Sequence, residues 1–183
     1  MGWITTNFEE VYIFEPQIWH DERGYFVETF NTNTLDGLPI NSNFVQDNES
    51  KSTKGVLRGL HYQCGTHAQA KLVRVVTGEV LDVIVDLRPE QPTYGQHLSV
   101  ILNDISKKQL YVPRGFAHGY IVLSPEAIFA YKCDNHYNKE SEGGLLFSDP
   151  QLEINWILNP NELIVSEKDR DNPVFGKHKP ILI

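Results

Sequence analysis

Two histidines in short glycine-containing segments are the side chains of this sequence best suited to move protons. His61 lies in RGLHYQ, residues 58–63, and His118 lies in PRGFAHG, residues 113–119. The ordinary pKa of histidine is about 6.5, so near neutral pH it can accept a proton in one step and return it in the next. On its motif alone, His61 is interpreted equally well as a general base or as a core histidine bonded to backbone.

The same two segments could instead hold a metal ion. They resemble the paired motifs of the cupin superfamily, whose double-stranded jelly roll directs such side chains into the mouth of a barrel. Metal-binding cupins carry a second histidine where this chain has Gln63, and a glutamate where it has Lys71. An ammonium group has no lone pair to donate and repels a divalent cation. We therefore predict no metal site of the usual cupin kind.

Short strands are the elements that must position these side chains. Residues 71–87, KLVRVVTGEVLDVIVDL, contain two Val/Leu/Ile-rich runs around Thr77-Gly78-Glu79 and predict a β-hairpin. In the second run Asp82 and Asp86 share one face, and the other face is wholly apolar. Further strands are predicted at 11–14, 24–30, 43–47, 97–102, 109–112, 119–123, 128–133 and 144–147.

Many short strands with frequent turns predict an all-β sandwich or barrel. The only helix predicted before the last third is short and lies around 33–38. From residue 149 onwards the chain is rich in Pro, Asn and Asp, which indicates an irregular segment with a short helix. A length of 183 residues predicts a single domain covering 1–183.

Charge and composition exclude several classes of protein. The chain has 16 Lys and Arg against 24 Asp and Glu, a net charge of −8, whereas a nucleic-acid-binding protein needs a basic footprint. No apolar run approaches the roughly 20 residues of a membrane span, and MGWITTNFEE has no signal-peptide pattern. With only Cys64 and Cys133 there is no disulfide framework, so we predict a cytoplasmic protein.

Eight segments in one order resemble a single enzyme family over residues 1–176. They are DERGYFVETF (21–30), QDNESKSTKGVLRGLHYQ (46–63), AQAKLVRVVTGEVLDVIVDLR (68–88), PTYGQHLSV (92–100), VPRGFAHGY (112–120), AYKCDNHYNKESEGG (130–144), DPQLEINW (149–156) and SEKDRDNP (166–173). Together they resemble the dTDP-4-dehydrorhamnose 3,5-epimerase family. The resemblance implies a cupin jelly roll and a cofactor-independent isomerase. It would invert C3 and C5 of a dTDP-linked 4-keto-6-deoxyhexose and supply L-rhamnose precursors for surface polysaccharide.

The resemblance also implies four catalytic residues. His61 would be the base, and Asp169, 169 − 61 = 108 positions away, would be its carboxylate partner. Lys71 would stabilise the enolate oxygen, because both reacting carbons flank the C4 ketone. Tyr131 would donate a proton from the face opposite His61. Tyr137 is a nearby rival for this acid role.

A wider set of residues matches the family's substrate contacts. Arginine suits the pyrophosphate because its planar fork binds phosphate oxygens in pairs, and aromatic faces stack on bases, here Phe26 and Tyr137 on thymine. In this family the N-terminal strands are exchanged or packed across a homodimer, which makes Arg23 a candidate for the partner's site. The full set is Arg23, Phe26, Glu28, Gln46, Asp47, Asn48, Arg58, Lys71, His118, Tyr137, Glu142 and Lys168.

Three alternatives stay open on the sequence. Inside the family, a 3- or 5-epimerase acting on one carbon, or on another nucleotide sugar, would keep much the same catalytic residues. A metal-dependent cupin enzyme is disfavoured by Gln63 and Lys71. A non-catalytic sugar-nucleotide binding module is disfavoured because binding alone needs no base and acid across a pocket.

Overall fold

The computed structural model describes residues 2–35, 37–40 and 43–182. Short strands joined by turns make up most of this part of the chain. The strands are β1 (Gly2–Thr5), β2 (Tyr12–Glu15), β3 (Ile18–Asp21), β4 (Gly24–Val27), β5 (Gln46–Thr53), β6 (Val56–Gln63), β7 (Lys71–Thr77), β8 (Glu79–Asp86), β9 (His97–Asn103), β10 (Gln109–Val112), β11 (Phe116–Val122), β12 (Glu126–Cys133), β13 (Glu142–Gly144) and β14 (Ile164–Val165). The helices are α1 (Glu167–Arg170) and four 3₁₀ turns, Thr32–Leu35, Gly65–His67, Lys139–Ser141 and Pro160–Glu162.

The strands form two large sheets that pack face to face as a double-stranded β-helix. The first sheet has the order β1-β2-β10-β7-β12-β5, and all its pairings are antiparallel. The second has the order β13-β6-β11-β8-β9, with β14 joined in parallel to β6. The prediction of an all-β cupin jelly roll is confirmed. A third, two-stranded sheet is made by β3 and β4 alone.

The predicted hairpin over residues 71–87 is wrong, although both of its strands exist. β7 pairs with β10 and β12 in the first sheet, whereas β8 pairs with β9 and β11 in the second. Gly78 is a corner at which the chain crosses between sheets. Its φ is +83°, and a Cβ there would run into the backbone oxygen of Glu126, so only glycine suits the corner. A short Gly-containing connection looks the same in sequence whether it turns back or crosses over.

The two largest apolar cores of the described chain hold the sheets in place. The inner core fills the space between the sheets, with Val73 and Val75 of β7 packed near Ile84 of β8 and Phe129 of β12. The outer core covers the far face of the second sheet. There the C-terminal segment contributes side chains such as Trp156, which is 7% exposed. Since β8 is buried on both faces, its carboxylates must find partners inside the protein.

The remaining elements agree with the expectations in part. The C-terminal third is irregular apart from short strands and turns and α1, as predicted. A short helical turn occurs at Thr32–Leu35, so it begins one residue earlier and ends three residues earlier than the predicted 33–38, and Asp36 lies outside the described residues. β6, which carries His61, was not predicted as a strand. The helical segments of the described chain have at most four residues each, so none of them could cross a membrane.

Candidate active site

Two adjoining cavities open between the sheets, and three predicted catalytic residues line both of them. The first cavity, of about 540 Å³, and the second, of about 380 Å³, share His61, Lys71 and Tyr131. These three side chains therefore lie where the cavities meet. Of the other predicted residues, Asp169, Arg58, His118 and Lys168 line the first cavity, and Gln46, Asn48, Tyr137 and Glu142 line the second.

His61 and Asp169 form a hydrogen-bonded pair despite their distance in sequence. His61 Nε2 lies 2.6 Å from Asp169 Oδ1. Ser166 is the N-cap of α1, and its hydroxyl accepts the backbone N–H of Asp169 at 3.1 Å. The other carboxylate oxygen, Oδ2, accepts the N–H of Gly59 from β6 at 3.3 Å. The carboxylate is thereby held against the strand that carries the histidine.

This environment keeps Asp169 ionised and sets the tautomer of His61. Burial raises the pKa of Asp169, but its hydrogen bond and charge interaction with His61 and the bonds from Gly59 and Ser166 outweigh burial. The net pKa is lower than usual. An ionised carboxylate only accepts hydrogen bonds, so His61 Nε2 carries the proton, and the lone pair of the neutral ring is on Nδ1. This arrangement suits a general base.

Lys71 lies at the start of β7, close to a second buried histidine–carboxylate pair. His118 Nε2 donates to Asp82 at 2.9 Å, and both side chains are buried. Burial lowers the pKa of His118 despite the opposing effect of Asp82, so its ring is neutral. Burial also lowers the pKa of Lys71, partly offset by Cys133 and Asp82. Burial raises the pKa of Cys133, which fits a thiol that is not a nucleophile.

Tyr131 faces the cavities from the sheet opposite His61. It lies on β12 in the first sheet, whereas His61 lies on β6 in the second. Burial raises the pKa of Tyr131, with further contributions from Cys133 and Tyr120, while Arg58 acts in the opposite direction. The phenol consequently keeps its proton near neutral pH. An imidazole and a protonated phenol thus face one shared space from two walls.

The second cavity is bordered by a chain of polar contacts at its mouth. Tyr137 donates its hydroxyl to Glu142 at 3.2 Å, and Lys168 donates to the same carboxylate at 2.6 Å. Burial raises the pKa of Glu142, but Lys168 and Tyr137 outweigh burial and the net pKa is lower than usual. Deeper in this cavity, Gln46 Nε2 donates to Asn48 Oδ1 at 3.1 Å. These groups offer donors, acceptors and one ring to a bound ligand.

Four predicted substrate contacts lie away from both cavities in the single chain. Arg23 and Phe26 lie on the β3–β4 ribbon, where the Arg23 side chain is 84% exposed and paired with Asp21. Glu28 accepts a hydrogen bond from Asn31. Asp47 pairs with Lys132 at 2.7 Å on the opposite face of β5 from Asn48, because successive strand residues alternate between faces. Their contact with substrate stays a prediction.

Sequence reasoning missed three residues that shape the site, although two of them left a signal. Asp82 appeared as a carboxylate in a strand that is otherwise apolar, which already requires a buried partner. Ser166 and Asp169 form a Ser-x-x-Asp capping pattern at a helix start. Gln63 was interpreted only as a lost metal ligand, yet its side chain accepts the backbone N–H of Asn138 at 2.9 Å.

The residues at the cavities do not suit a divalent metal ion. Within 2–35, 37–40 and 43–182, no group of three or more His, Cys, Asp or Glu side chains is arranged to hold one. At the positions of two cupin ligands, Gln63 bonds to backbone and Lys71 presents an ammonium group. The donor set of this site is consequently suited to proton transfer and to binding anions.

Comparison with known proteins identifies the family. The family model described as dTDP-4-dehydrorhamnose 3,5-epimerase matches residues 5–177. A dTDP-4-dehydrorhamnose 3,5-epimerase of Shigella flexneri is 50% identical over 177 residues, covering 96% of each chain. The crystal structure of the enzyme of that name from Elizabethkingia anophelis NUHP1 is 51% identical, with a TM-score of 0.91 and 96% coverage of each chain.

A second solved structure contains a sugar nucleotide. It is the dTDP-6-deoxy-D-glucose-3,5-epimerase of Legionella pneumophila Philadelphia 1 in complex with dTDP-4-keto-L-rhamnose. This protein is 48% identical, with a TM-score of 0.90, and the match covers 94% of this chain and 92% of that one. In both sequence and fold, the chain belongs to the dTDP-4-dehydrorhamnose 3,5-epimerase family of isomerases.

Proposed function

We propose that the chain inverts C3 and C5 of dTDP-4-dehydro-6-deoxy-D-glucose, with His61 taking a proton from one face of each carbon and Tyr131 delivering a proton to the opposite face. The observation that carries this proposal is the position of His61, Lys71 and Tyr131 at the junction of two cavities, with the first and last on opposite sheets. Inversion requires removal of a proton from one face of a carbon and delivery to the other. A site with a base and an acid on opposite walls can do both.

In the first step His61 Nδ1 takes the proton from C3 or C5. The electron pair of the broken C–H bond forms a C=C bond to C4, and the C4 carbonyl electrons move onto oxygen. Asp169 stabilises the resulting imidazolium, as a triad aspartate does. The Lys71 ammonium stabilises the enolate oxygen. A preorganised donor of this kind is typically worth about 2.7–4 kcal/mol of transition-state stabilisation.

In the second step Tyr131 gives its phenolic proton to the same carbon from the other side. The enolate electrons reform the C4 carbonyl, and the configuration at the carbon is inverted. The step leaves a phenolate on Tyr131 and an imidazolium on His61, which exchange protons with water before the next half-reaction. Repeating the cycle at the second carbon gives dTDP-4-dehydro-L-rhamnose. No electron acceptor is needed, because the ketone is reformed at the end of each cycle.

The nucleotide would be bound by groups from two chains. In the single chain Arg58 and Lys168 line the first cavity together with Lys71, and Tyr137 supplies an exposed ring. Arg23 and Phe26 lie on the exposed β3–β4 ribbon, so a homodimer that brings this ribbon to the partner's cavity would complete the site. Sedimentation of the purified chain at twice the monomer mass would support this arrangement.

Cys64 and Cys133 are buried and free, in keeping with a single cytoplasmic domain.

Incubation of dTDP-4-dehydro-6-deoxy-D-glucose with the pure chain in D₂O tests this function. We expect deuterium at both C3 and C5, and formation of the L-sugar, as read by NMR. The labelling should persist after exhaustive treatment with EDTA, because the residues at the site are not metal ligands. Label at one carbon would instead assign a 3- or 5-epimerase. No label, or loss of label on chelation that one divalent metal restores, would overturn the proposal.

Lys71 should set the alkaline limit of activity. Its pKa is lowered by burial, and only the ammonium form, present below that pKa, stabilises the enolate. We expect kcat to fall at high pH with an apparent pKa below the ordinary lysine value of about 10.4. Lys71→Arg should shift this limb upward, because guanidinium stays protonated. The pKa of Tyr131 is raised, so its ionisation should come later. An unchanged alkaline limb in Lys71→Arg would contradict this assignment.

A further inference from the structure

Three glutamine side chains hold the backbone of the loop that carries Tyr137. This loop, residues 134–138, joins β12 to the 3₁₀ turn before β13. Gln46 Oε1 accepts the N–H of Tyr137 at 3.1 Å, and Gln63 Oε1 accepts the N–H of Asn138 at 2.9 Å. Gln69 Nε2 donates to the carbonyl of Asn135 at 2.8 Å. The three bonds come from separate parts of the chain and meet on one five-residue loop.

Gln63 has the most constrained position of the three. It ends β6, two residues after His61 and on the same face of the strand, and it is 6% exposed. The residue whose N–H it accepts, Asn138, uses its own side chain to cap the turn Lys139–Ser141. That turn leads directly into Glu142. The amide of Gln63 is therefore connected, through one backbone N–H, to both Tyr137 and Glu142.

Tyr137 depends on this backbone support because its side chain has few contacts that would fix the position of the ring. The side chain is 53% exposed, and its hydroxyl contacts Glu142 at 3.2 Å. An exposed aromatic ring that must meet a ligand gains affinity when its position is set before binding. The backbone bonds from Gln46 and Gln63 provide that preorganisation. Gln63 is the cleaner residue to substitute, because Gln46 also donates to Asn48 inside the cavity and its loss would change a second contact.

The neutral amide is also the side chain that this position requires. Gln63 is the cross-strand neighbour of Glu142, so the two side chains lie side by side on one face. A carboxylate at 63 would accept the same N–H but would place two like charges next to each other, which is unfavourable. A histidine at 63 would offer a metal ligand and would lack the longer side chain by which the Gln63 amide oxygen reaches the Asn138 N–H. The amide accepts the bond without either consequence.

We propose that Gln63 is a positioning residue that holds Tyr137 in place for the nucleotide half of the substrate. This inference rests on the proposed function for the identity of the ligand, and it assigns a task to the residue that replaces a cupin metal ligand. Gln63 acts through the Asn138 N–H. Its loss should therefore weaken nucleotide binding, and the effect should disappear when the Tyr137 ring is absent.

A double-mutant cycle on dTDP affinity, measured by calorimetry, tests the inference. Gln63→Leu should raise the Kd for dTDP by about 3- to 10-fold, the range of one neutral hydrogen bond. Tyr137→Ala should raise it at least as much. The double variant should match Tyr137→Ala alone, because the Gln63 side chain then has no ring to position. If the two losses multiply, or if Gln63→Leu binds dTDP like the wild type, the inference is wrong.

Gln109→Leu is the matched control for a general loss of packing. Gln109 is buried and donates a single bond to the Thr29 carbonyl at 2.8 Å, away from both cavities. The Gln109→Leu variant should have a lower melting temperature and an unchanged affinity for dTDP. An equal loss of affinity in Gln109→Leu would show that Gln63 is merely structural. Gln63→Met, which keeps the side-chain length and lacks the amide, serves if Gln63→Leu does not fold.

The binding measurement separates this inference from the proposed reaction. dTDP carries no reacting carbon, so its affinity does not depend on proton transfer. A wild-type chain that binds dTDP but incorporates no deuterium from D₂O would refute the epimerase mechanism and leave the cycle to decide on Gln63. A chain that epimerises the sugar while the cycle is additive would refute only the role of Gln63. A wild-type chain that does not bind dTDP overturns both.

Discussion

His61→Ala is expected to lower kcat by about 100- to 10,000-fold, the usual contribution of a general base. The change removes His61 Nδ1, the atom whose lone pair we propose takes the proton from the sugar. dTDP affinity should stay close to that of the wild type, because the imidazole is assigned to proton transfer. The direct measurement is exchange of the C3 and C5 protons with D₂O, which should slow in proportion to kcat.

The control for this variant must separate chemistry from stability. Asp169 is 4% exposed in the intact chain, and without the imidazole it would lose the 2.6 Å bond, which leaves this carboxylate with fewer donors. His61→Asn keeps an N–H donor near Asp169 and lacks a base, so it should be as inactive but more stable than His61→Ala. His97→Ala, outside both cavities, should retain full activity. Near-normal exchange at either carbon in His61→Asn would show that another group is the base.

Tyr131→Phe is expected to uncouple proton removal from inversion. The ring remains, so the free energy of unfolding should change by less than about 1.5 kcal/mol. The variant lacks the phenolic O–H on the sheet opposite His61, which stays protonated in the wild type because the pKa of Tyr131 is raised. Abstraction by His61 should continue while delivery to the other face slows. In D₂O, washout of the C3 and C5 protons should therefore outpace net inversion, measured by NMR on the same sample.

Tyr137→Phe is the matched comparison, because Tyr137 is the rival acid. Its hydroxyl contacts Glu142, and its ring lines only the second cavity, away from Asp169 and His118. We expect Tyr137→Phe to keep the wild-type ratio of inversion to exchange and to affect substrate binding. A ratio that collapses in Tyr137→Phe and is normal in Tyr131→Phe would transfer the acid role to Tyr137.

Part of this site was available from side-chain chemistry and local periodicity. A histidine after a glycine turn, a lysine where a metal ligand would stand and alternating strand residues are local features. They predicted a β-fold without a metal site, and they left His61 open between a general base and a core histidine. The order of the eight segments added the family, which the comparisons confirm. The strand predicted at 109–112 agrees with β10 residue for residue, since its turns and apolar run are both local.

Tertiary structure alone decided which of these residues meet. Asp169 reaches His61 across 108 positions because α1 packs against β6, and no spacing rule reports such a contact. The crossing at Gly78 placed β7 and β8 in different sheets, which puts Lys71 on one wall and Asp82 on the other. The single chain also separates Arg23 and Asp47 from the cavities. Strand pairing depends on the burial of whole faces against distant partners, so it is a property of the complete fold and is not encoded in any one segment.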